Sequence, residues 1–536
     1  MSFSEAVQVA KAKYPKTVTT PIKYGTAGFR SKADGLDFIM YRMGLLATLR
    51  SRDTKAVIGV MITASHNPEP DNGVKLIDPM GEMLAPAWET HATTLVNATD
   101  DGIAEAMVTI SREAGGIQED EKALVFIGRD TRPSSDRLRD AVVAGVKAAG
   151  GEVKDYGVVS TPILHYVVTC HNDGGQYGEP TEEGYYKKIA QAFAKLRVSG
   201  ASRDNYEPTI LYDGANGVGA IMMERFTQHL GDSINLTMYN KGEGVLNHLC
   251  GADYVKVQQK WPEGVPKTQN MRCVSVDGDA DRVIYSFIDK NGKYSMLDGD
   301  KIATLVAGYF QELLKASGLT LKLGLVQTAY ANGASTAYIT EKLGVPVACA
   351  KTGVKHLHHV ALQFDIGVYF EANGHGTVIF SKAAREAIRS AAQANESAQK
   401  LSQVMDVINE TVGDAISDML LVETVLHARG WSIEDWNSAY ADLPNRQMKV
   451  TVADRAVITT TDAERVCVTP AGLQDTINSI VAKYPNGRSF VRPSGTEDIV
   501  RVYAEASTQE GADSLAIAVG NAVYEQAGGV GDRPKI

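Results

Sequence analysis

The stretch Met61-Ile62-Thr63-Ala64-Ser65-His66-Asn67-Pro68 leaves a short apolar strand, predicted over residues 57–62, and turns abruptly into polar residues. A serine at a strand end, followed by a turn-setting proline, is held outward by the backbone rather than packed away. We therefore expect the Ser65 hydroxyl to be available for chemistry. The turn signal Asp71-Asn72-Gly73 predicts a second strand that brings Lys75 to face Ser65 across a hairpin. The two form a candidate nucleophile and base; the alternative is a capped turn beside a surface lysine.

The length and composition of the chain are typical of a globular protein with several domains. Its 536 residues exceed what one core usually organises, so three or four domains with clefts between them are expected. Hydrophobic residues make up 44% and charged residues 22%, and no apolar run approaches the roughly 18 residues of a membrane span. Residues 1–16 lack the apolar core of a signal peptide. We expect a cytoplasmic protein that does not bind a membrane.

The charge and the cysteines exclude two classes of function. A net charge of -10 argues against nucleic acid as a partner, because binding to its phosphates needs clustered Lys and Arg. A small anion in a local basic pocket is compatible with this charge. The five cysteines are scattered and form no C-x-x-C pair, so neither disulfides nor a zinc site is indicated and core thiols are expected.

Repeated β-α-β patterns indicate the fold class. A buried strand at 123–127, a helix at 136–149 and a strand at 152–156 predict a parallel or mixed sheet. The pattern recurs twice, and the residues beyond Pro444 mix strands and helices as an α+β unit does. We predict three similar α/β domains with mixed sheets, then a smaller α+β domain, over residues 1–200, 201–296, 297–440 and 441–536.

Several connecting segments are predicted from their local patterns. Helices are expected at 334–343, 382–401 and 404–427. The segment 171–202 is polar and Gly-rich at first and then helical, and it is interpreted as an excursion plus linker. The chain contains neither G-x-x-x-x-G-K-[ST] nor G-x-G-x-x-G, so a nucleotide-binding function has little support.

Three alternating aspartates, Asp277, Asp279 and Asp281, form a candidate metal site. In a dry setting they would repel one another unless a cation lay among them, and ligands that are all oxygen favour Mg²⁺. An EF-hand is excluded, because its glycine and glutamate positions hold Arg282 and Ile288. The alternative is a solvated acidic turn. A metal beside an arginine suits phosphoryl transfer, whose transition state spreads negative charge over several oxygens.

A second candidate loop is Glu371-Ala372-Asn373-Gly374-His375-Gly376, between strands predicted at 366–370 and 377–380. Glu371 and Asn373 are predicted to alternate onto one face, where a carboxylate and an amide can bind the vicinal hydroxyls of a sugar. The alternative for His375 is an ordinary loop histidine.

Two further stretches could bind an anion. Arg492-Pro493-Ser494-Gly495-Thr496-Glu497-Asp498 combines a guanidinium, two hydroxyls and an unhindered glycine backbone, with Arg501 close by on the next strand. The alternative is a tight β-turn. Near the N-terminus, the glycine-punctuated loop at 23–30 ends in Arg30, which could also reach an anion.

Together these motifs resemble the α-D-phosphohexomutase family along nearly the whole chain and in the family's order. Thr-Ala-Ser-His-Asn-Pro, Glu-Ala-Asn-Gly-His-Gly and Arg-Pro-Ser-Gly-Thr-Glu-Asp look like the eukaryotic branch that acts on N-acetylglucosamine phosphates. Where glucose and mannose mutases typically carry serine in the sugar loop, this chain has Asn373. The resemblance implies interconversion of N-acetylglucosamine 6-phosphate and 1-phosphate on the route to UDP-N-acetylglucosamine, in a central cleft of a monomer.

The resemblance also implies roles for individual residues. Ser65 would carry the phosphoryl group and, as phosphoserine, bind Mg²⁺ together with the three aspartates. Lys75 would be the general acid and base, Arg30 would lie near the serine, and His375 would assist proton transfer. A sugar 1,6-bisphosphate would be the intermediate and activator. The substrate would be bound by Arg282, Glu371, Asn373, Gly374, Arg492, Ser494, Gly495, Thr496 and Arg501.

Three alternatives compete with this interpretation. A serine hydrolase lacks support because no G-x-S-x-G elbow occurs. A phosphosugar-binding protein without catalysis would have no need of Ser65, Lys75 and all three aspartates. A phosphohexomutase that acts on glucose, mannose or glucosamine phosphate differs only in specificity.

Overall fold

The computed structural model describes residues 3–118, 121–197, 203–494 and 498–535, and the chain forms two compact units. The first unit comprises Met1–Asp298, Asn373–Thr377 and Ser402–Ile433. The second comprises Gly299–Ala372, Val378–Leu401 and Glu434–Ile536. None of the helices in the described residues combines the length and the apolar character that a membrane span requires.

A five-stranded mixed sheet begins the first unit. Its strands are β1 (Phe29–Lys32), β2 (Ile58–Ile62), β3 (Asp71–Ile77), β4 (Leu124–Arg129) and β5 (Glu152–Val158), in the order β1-β3-β2-β4-β5. Strand β2 pairs antiparallel with β3 and parallel with β4. All five residues of β2 are buried, and each large apolar side chain there stabilises the fold by ~1.5–3 kcal/mol. The serine loop therefore leaves a rigid central strand.

Seven helices accompany this sheet. They are α1 (Ser4–Lys13), α2 (Asp37–Thr54), α3 (Pro86–Asn97), α4 (Ile103–Glu113), α5 (Ser135–Ala148), α6 (Thr161–Asn172) and α7 (Glu182–Lys195). Helix α7 confirms that the later part of 171–202 is helical, but it is a packed helix and not a linker: Thr181 caps it, and its apolar face buries Tyr185, Ile189 and Phe193.

A second five-stranded mixed sheet completes most of the first unit. It contains β6 (Thr209–Asp213), β7 (Asn235–Tyr239), β8 (Cys273–Val276), β9 (Val283–Ile288) and β10 (Tyr294–Leu297), in the order β10-β9-β8-β6-β7, with helices α8 (Val218–Leu230) and α9 (Gly251–Gln258). Strands β8 and β9 are antiparallel neighbours, so the loop of three aspartates is the tight connection between them.

The second unit carries most of a third sheet. Its order is β12-β11-β13-β14, from β11 (Leu323–Thr328), β12 (Val347–Ala350), β13 (Ile366–Phe370) and β14 (Gly376–Phe380). Along this part of the chain the helices are α10 (Gly299–Ser317), α11 (Gly333–Ala337), α12 (Val354–Ala361), α13 (Lys382–Ala391), α14 (Glu396–Val407), α15 (Ala415–Arg429) and α16 (Ile433–Asn437). Of these, α15 belongs to the first unit. The predicted helix at 334–343 is α-helical only to Ala337 and continues as a π-helical turn, Tyr338–Leu343.

Two long helices predicted from the sequence are interrupted. The prediction at 404–427 is wrong, because α14 ends at Val407 and α15 begins at Ala415. The Asp414 carboxylate caps α15 by accepting bonds from the backbone N–H groups of Ile416 and Ser417. The prediction at 382–401 is broken in the same way between Ala391 and Glu396. Apolar periodicity continues across these breaks, but in each stretch an N-cap side chain, Asp414 or Asn395, begins a new helix.

A smaller C-terminal part has the predicted α+β character. Strands β15 (Asn445–Thr451), β18 (Arg488–Pro493) and β19 (Ile499–Glu505) form a sheet in the order β15-β19-β18, and β16 (Thr459–Thr461) pairs with β17 (Val466–Thr469) in a separate hairpin. Helices α17 (Leu473–Val481) and α18 (Gln509–Gln526) accompany them. The predicted α/β class with several mixed sheets and a smaller C-terminal part is confirmed. Four of the cysteines are buried, as expected of core thiols, whereas Cys349 is partly exposed.

Candidate active site

Ser65 lies in a left-handed turn at the end of β2, with a φ of 51°. Its backbone N–H donates to Thr63 Oγ1 at 2.9 Å, and its hydroxyl donates to Asp277 Oδ2 at 2.6 Å. The side chain is buried rather than held outward, which corrects the expectation from the sequence. The reason is the close approach of the aspartate loop: a Cβ on Gly278 would lie 2.6 Å from the Ser65 carbonyl oxygen.

Arg132 stabilises the backbone of the serine loop, a role that was not predicted from the sequence. Its guanidinium donates to the carbonyl oxygens of Ser65 at 2.9 Å and Asn67 at 2.8 Å, and also to those of Pro68 and Asp71. Asp130 pairs with it at 2.9 Å, and both side chains are fully buried. The position of Arg132 could have indicated this role. It lies in the loop after β4, and β4 is parallel and adjacent to β2, so the loops that follow the two strands lie at the same edge of the sheet.

Asp277, Asp279 and Asp281 come together as predicted. All three are buried, and one carboxylate oxygen of each lies within 4.8 Å of the others. Burial, and then the neighbouring carboxylates, raise the pKa of Asp277 well above its ordinary value. In the described part of the chain, Oδ1 of Asp279 and Oδ1 of Asp281 are buried without a hydrogen-bond partner. This all-oxygen donor set fits a hard cation such as Mg²⁺.

Lys75 lies on β3 and reaches the aspartates. Its ammonium lies 3.2 Å from Asp279 Oδ2 and 3.3 Å from Asp281 Oδ2, whereas the Ser65 hydroxyl donates to Asp277. The predicted hairpin is present, with Met61 opposite Lys75 in its register. Burial alone would raise the pKa of Asp281, but His375 and Lys75 hold it well below its ordinary value. The lysine therefore belongs to the same charged cluster as the candidate metal ligands.

Two arginines and a histidine surround this cluster. Gly28 lets β1 approach β3, because a Cβ there would lie 2.0 Å from the Val74 carbonyl oxygen, and Arg30 follows on β1. Burial lowers the pKa of the Arg30 guanidinium, and the neighbouring carboxylates oppose that shift. Arg282 Nε lies 3.9 Å from carboxylate oxygens of both Asp277 and Asp281. Burial, and then Arg282 and Arg30, lower the pKa of His66 to about 2, so this imidazole is neutral.

The side chains of Thr161 and His375 orient two of the aspartates, Asp279 and Asp281. The Thr161 hydroxyl donates to Asp279 Oδ2 at 2.6 Å, and its backbone N–H donates to the Asp279 carbonyl at 3.2 Å. Thr161 begins α6 and had no recognisable signal in the sequence. His375 Nδ1 lies 2.7 Å from the Asp281 carbonyl oxygen, which can only accept, so Nδ1 carries a proton and Nε2 is the basic atom of the neutral ring.

The sugar loop differs from its prediction. Strand β13 ends at Phe370, so Glu371 and Asn373 lie in a loop and strand alternation does not set their direction. Glu371 Oε1 accepts a bond from the Gly353 N–H at 3.0 Å, and Asn373 Oδ1 accepts one from the His375 N–H at 3.0 Å. Gly374 has a φ of 86°, which turns the chain here.

The predicted phosphate loop lies in the second unit. Arg492 on β18 stands directly opposite Arg501 on β19, and the Ser494 N–H donates to the Ile499 carbonyl at 2.8 Å. Ser494 is buried. Gly495 and Thr496 lie outside the described residues. Glu464, which sequence reasoning missed, pairs with Arg492 Nε at 3.3 Å.

Four regions of the chain match profiles of known domain families. The profiles are described as "Phosphoacetylglucosamine mutase AMG1, domain II" over residues 178–284 and domain III over 298–431. "Phosphoglucomutase/phosphomannomutase, alpha/beta/alpha domain I" matches 45–103 and 99–178, and the C-terminal domain of the same family matches 447–521.

Full-length relatives are also similar to the chain. The phosphoacetylglucosamine mutase of Sus scrofa is 55% identical over 537 residues, 99% of each chain. The Aspergillus fumigatus N-acetylphosphoglucosamine mutase in complex with GlcNAc-6P and magnesium is 45% identical, with a TM-score of 0.93 over 98% of this chain and 99% of that one. A structure of the Aspergillus fumigatus protein with glucose 1,6-bisphosphate has a TM-score of 0.92 at 45% identity and the same coverage.

Proposed function

Because the chain belongs to the phosphoacetylglucosamine mutase family, we propose that it interconverts N-acetylglucosamine 6-phosphate and N-acetylglucosamine 1-phosphate through a phosphoserine at Ser65 and a 1,6-bisphosphate. The motif resemblance is thereby confirmed at the level of the family. The observation that carries the mechanism is the Ser65 hydroxyl, which lies 2.6 Å from Asp277 within a buried group of three carboxylates.

The proposed reaction is a phosphoryl transfer in two directions. The bond between phosphorus and the serine oxygen breaks, and a bond from phosphorus to a sugar hydroxyl oxygen forms. The hydroxyl proton passes to Lys75, which must be a neutral amine at this point, and the departing serine oxygen keeps the electron pair of the broken bond until it attacks in the second half. In the second half, the other phosphoryl group of the bisphosphate returns to Ser65 and Lys75 gives the proton to the departing sugar oxygen. Phosphoserine and a sugar 6-phosphate are both esters of primary alcohols, so the transfer between them is not steeply downhill.

Charged groups around Ser65 have complementary roles in this proposal. Asp277, Asp279 and Asp281 would bind Mg²⁺ together with the phosphoserine, and the bound ion would neutralise charge on the phosphoryl oxygens. Arg282 steadies the transferring phosphate, and Arg30 lies close enough to the carboxylates to act beside it. His375, with a basic Nε2, assists proton transfer. Support for the cation comes from the magnesium complex of the Aspergillus fumigatus relative.

The remaining predicted residues bind the substrate. Glu371, Asn373 and Gly374 hold the sugar ring, and Asn373 in place of serine favours the N-acetyl sugar. Arg492, Ser494, Gly495, Thr496 and Arg501 hold the phosphate that does not react. Mutase activity on glucose, mannose or glucosamine phosphate is the alternative specificity, and parallel assays of these sugar phosphates distinguish it.

The wider setting follows from the proposed reaction. Its product is the 1-phosphate that a uridylyltransferase would convert into UDP-N-acetylglucosamine. A cytoplasmic location and a monomeric state are further parts of the proposal. The domain division at 1–200, 201–296, 297–440 and 441–536 is part of the same proposal. It is supported by the four separate main sheets and, at the boundaries near 297 and 441, by the ranges of the profile matches.

One experiment tests the carrier directly. Intact mass and phosphopeptide mapping of the active protein should find one phosphate, on Ser65. Ser65→Ala should remove both the phosphate and turnover, because a monophosphate substrate then meets no donor. Thr90→Ala, which changes an exposed hydroxyl on α3, is the matched control and should retain both. Mutase activity in Ser65→Ala would overturn the mechanism.

A further inference from the structure

A charged cluster in the second unit surrounds Arg492, the first residue of the proposed phosphate loop. In the strand register Arg492 on β18 stands directly opposite Arg501 on β19. Like charges at such positions repel each other and destabilise the strand pair. An anion close to the two guanidinium groups relieves that repulsion.

The chain supplies such an anion from within the same unit. Glu464 Oε1 lies 3.3 Å from Arg492 Nε, and the ring of Tyr330 lies 5.9 Å from the Arg492 guanidinium carbon. The side chains of Arg492 and Glu464 are only 16% and 14% exposed. Solvent therefore screens this ion pair less than it screens a pair on the open surface.

The Glu464 carboxylate is held in place from its other side. The backbone N–H of Thr352, in the loop after β12, donates to Glu464 Oε2 at 3.0 Å, and the Thr352 hydroxyl donates to the same oxygen. One oxygen is thus committed to Thr352 and the other faces the guanidinium. This arrangement fixes a negative charge beside Arg492.

The backbone that presents Glu464 is strained. Asp462, Ala463 and Glu464, at the tip of the β16–β17 hairpin, have successive φ values of 50°, 53° and 70°. Three consecutive left-handed residues without glycine are costly, and such strain clusters at functional sites. The hairpin accepts this cost while it places Glu464 against Arg492 and Thr352.

We propose that Glu464 is a built-in counter-ion of Arg492 that the substrate phosphate must displace, so that it sets how tightly this site holds phosphate. The inference rests on the proposed function, in which the Arg492 loop binds the phosphate that does not react. A carboxylate and a phosphate compete for the same guanidinium donors, because both are oxyanions that match the geometry of arginine. A site that releases and recaptures a bisphosphate in every cycle requires such a moderated grip.

Binding of inorganic phosphate and of N-acetylglucosamine 6-phosphate, measured by calorimetry on the full-length protein in chelator, tests the proposal. Glu464→Gln keeps the size and the Thr352 contact but removes the charge. We expect it to bind both ligands roughly fivefold to tenfold more tightly, because the phosphate no longer has to break one largely buried ion pair. In turnover assays its KM and its kcat should both fall, because release becomes slower.

Two further variants sharpen the test. Asp462→Asn removes a carboxylate from the same hairpin tip, where it pairs with Arg465, and it should bind phosphate as the wild type does. Thr352→Val keeps the charge of Glu464 but loses the hydroxyl that anchors it, so phosphate should bind with intermediate affinity.

Two outcomes would overturn the proposal. Weaker phosphate binding in Glu464→Gln would mean that Glu464 orients Arg492 for the ligand instead of competing with it. Unchanged binding would mean that the ion pair has no influence on the site. The proposed function fails separately: a wild-type protein without mutase turnover would refute it, whereas tighter phosphate binding in Glu464→Gln would still support the competition.

Discussion

At the scale of single residues, Thr161 orients a candidate metal ligand although it is not itself a candidate ligand or catalytic group. Its hydroxyl occupies Oδ2 of Asp279, while Oδ1 of the same carboxylate is buried without a hydrogen-bond partner in the described residues. A carboxylate fixed through one oxygen presents the other in a defined direction, and outer contacts of this kind tune metal affinity. Thr161 is therefore a positioning residue for the proposed cation.

Thr161→Val should weaken Mg²⁺ binding by roughly tenfold or more, because the isosteric side chain removes the shorter of the two contacts, from Thr161 and Lys75, that orient Asp279 Oδ2. The measurements are the Mg²⁺ concentration for half-maximal turnover and the Mg²⁺-dependent rise in Tm, which does not depend on activity. Thr161→Ser keeps the hydroxyl and should stay close to the wild type. Equal Mg²⁺ affinity in all three proteins would contradict the role of Thr161.

The sequence predicted some of these residues well and others not at all. Residues with reactive or ionic side chains in short motifs, such as Ser65 and Asp279, were identified because the motif itself carries the chemistry. Arg132 and Thr161 were missed because they contact backbone and carboxylate groups 61 to 118 positions away in the chain. Such contacts are set by which strands are neighbours, and a single sequence does not encode that directly.

At the scale of elements, helix α15 shows where periodicity misleads. Apolar spacing continues from α14 into α15, yet Asp414 caps the second helix and separates the two. The same helix buries Asp418 completely, and neither of its carboxyl oxygens has a hydrogen-bond partner of good geometry among the described residues. Burial, and then Asp414, raise the pKa of Asp418 well above its ordinary value, although the Asp414 backbone N–H offsets part of the shift.

This carboxyl group should make stability depend on pH. Its pKa is higher in the folded than in the unfolded protein, so the folded state holds the proton and stability falls as pH rises above the unfolded value of about 4. Asp418→Asn removes the ionisable group, and its Tm should exceed that of the wild type at pH 8 by roughly 1–4 °C. Calorimetric scans at pH 5 and pH 8 should show the difference shrinking at the lower pH. Asp435→Asn, on the short helix α16, should lack this pattern.

At the scale of the whole molecule, one substrate must present either of two phosphates to the Arg492 loop in the two halves of the proposed cycle. The loop therefore has to recognise phosphate without regard to the sugar oxygen that carries it. A multipoint anion site built from guanidinium and hydroxyl groups has that property. The bisphosphate must reorient between the two half-reactions without being lost to solvent.

Arg492→Ala should weaken binding of both monophosphates by about 10- to 100-fold, because each charged hydrogen bond is worth roughly 1.5–3 kcal/mol. It should also release the 1,6-bisphosphate into solution and leave Ser65 without phosphate, so that added bisphosphate partly restores the rate. Chromatography of the reaction mixture and phosphopeptide mapping measure both effects. Arg465→Ala removes a positive charge from the same part of the chain and serves as the control. Loss of only one monophosphate would show that the loop serves a single orientation.

The hydrogen bond from Ser65 to Asp277 has a consequence for how the proposed enzyme behaves after it has lost its phosphate. The hydroxyl of a serine that carries no phosphate donates a hydrogen bond to the Asp277 carboxylate, and the residue lies in a buried turn. In the proposed mechanism the protein without phosphate is therefore a stabilised state, and it would return to the cycle only when a bisphosphate donates a phosphoryl group to the serine. Protein in this state would be inactive although intact. A sample that contains such molecules would show a lag when substrate is added, and the lag would lengthen with the fraction of molecules that had lost their phosphate.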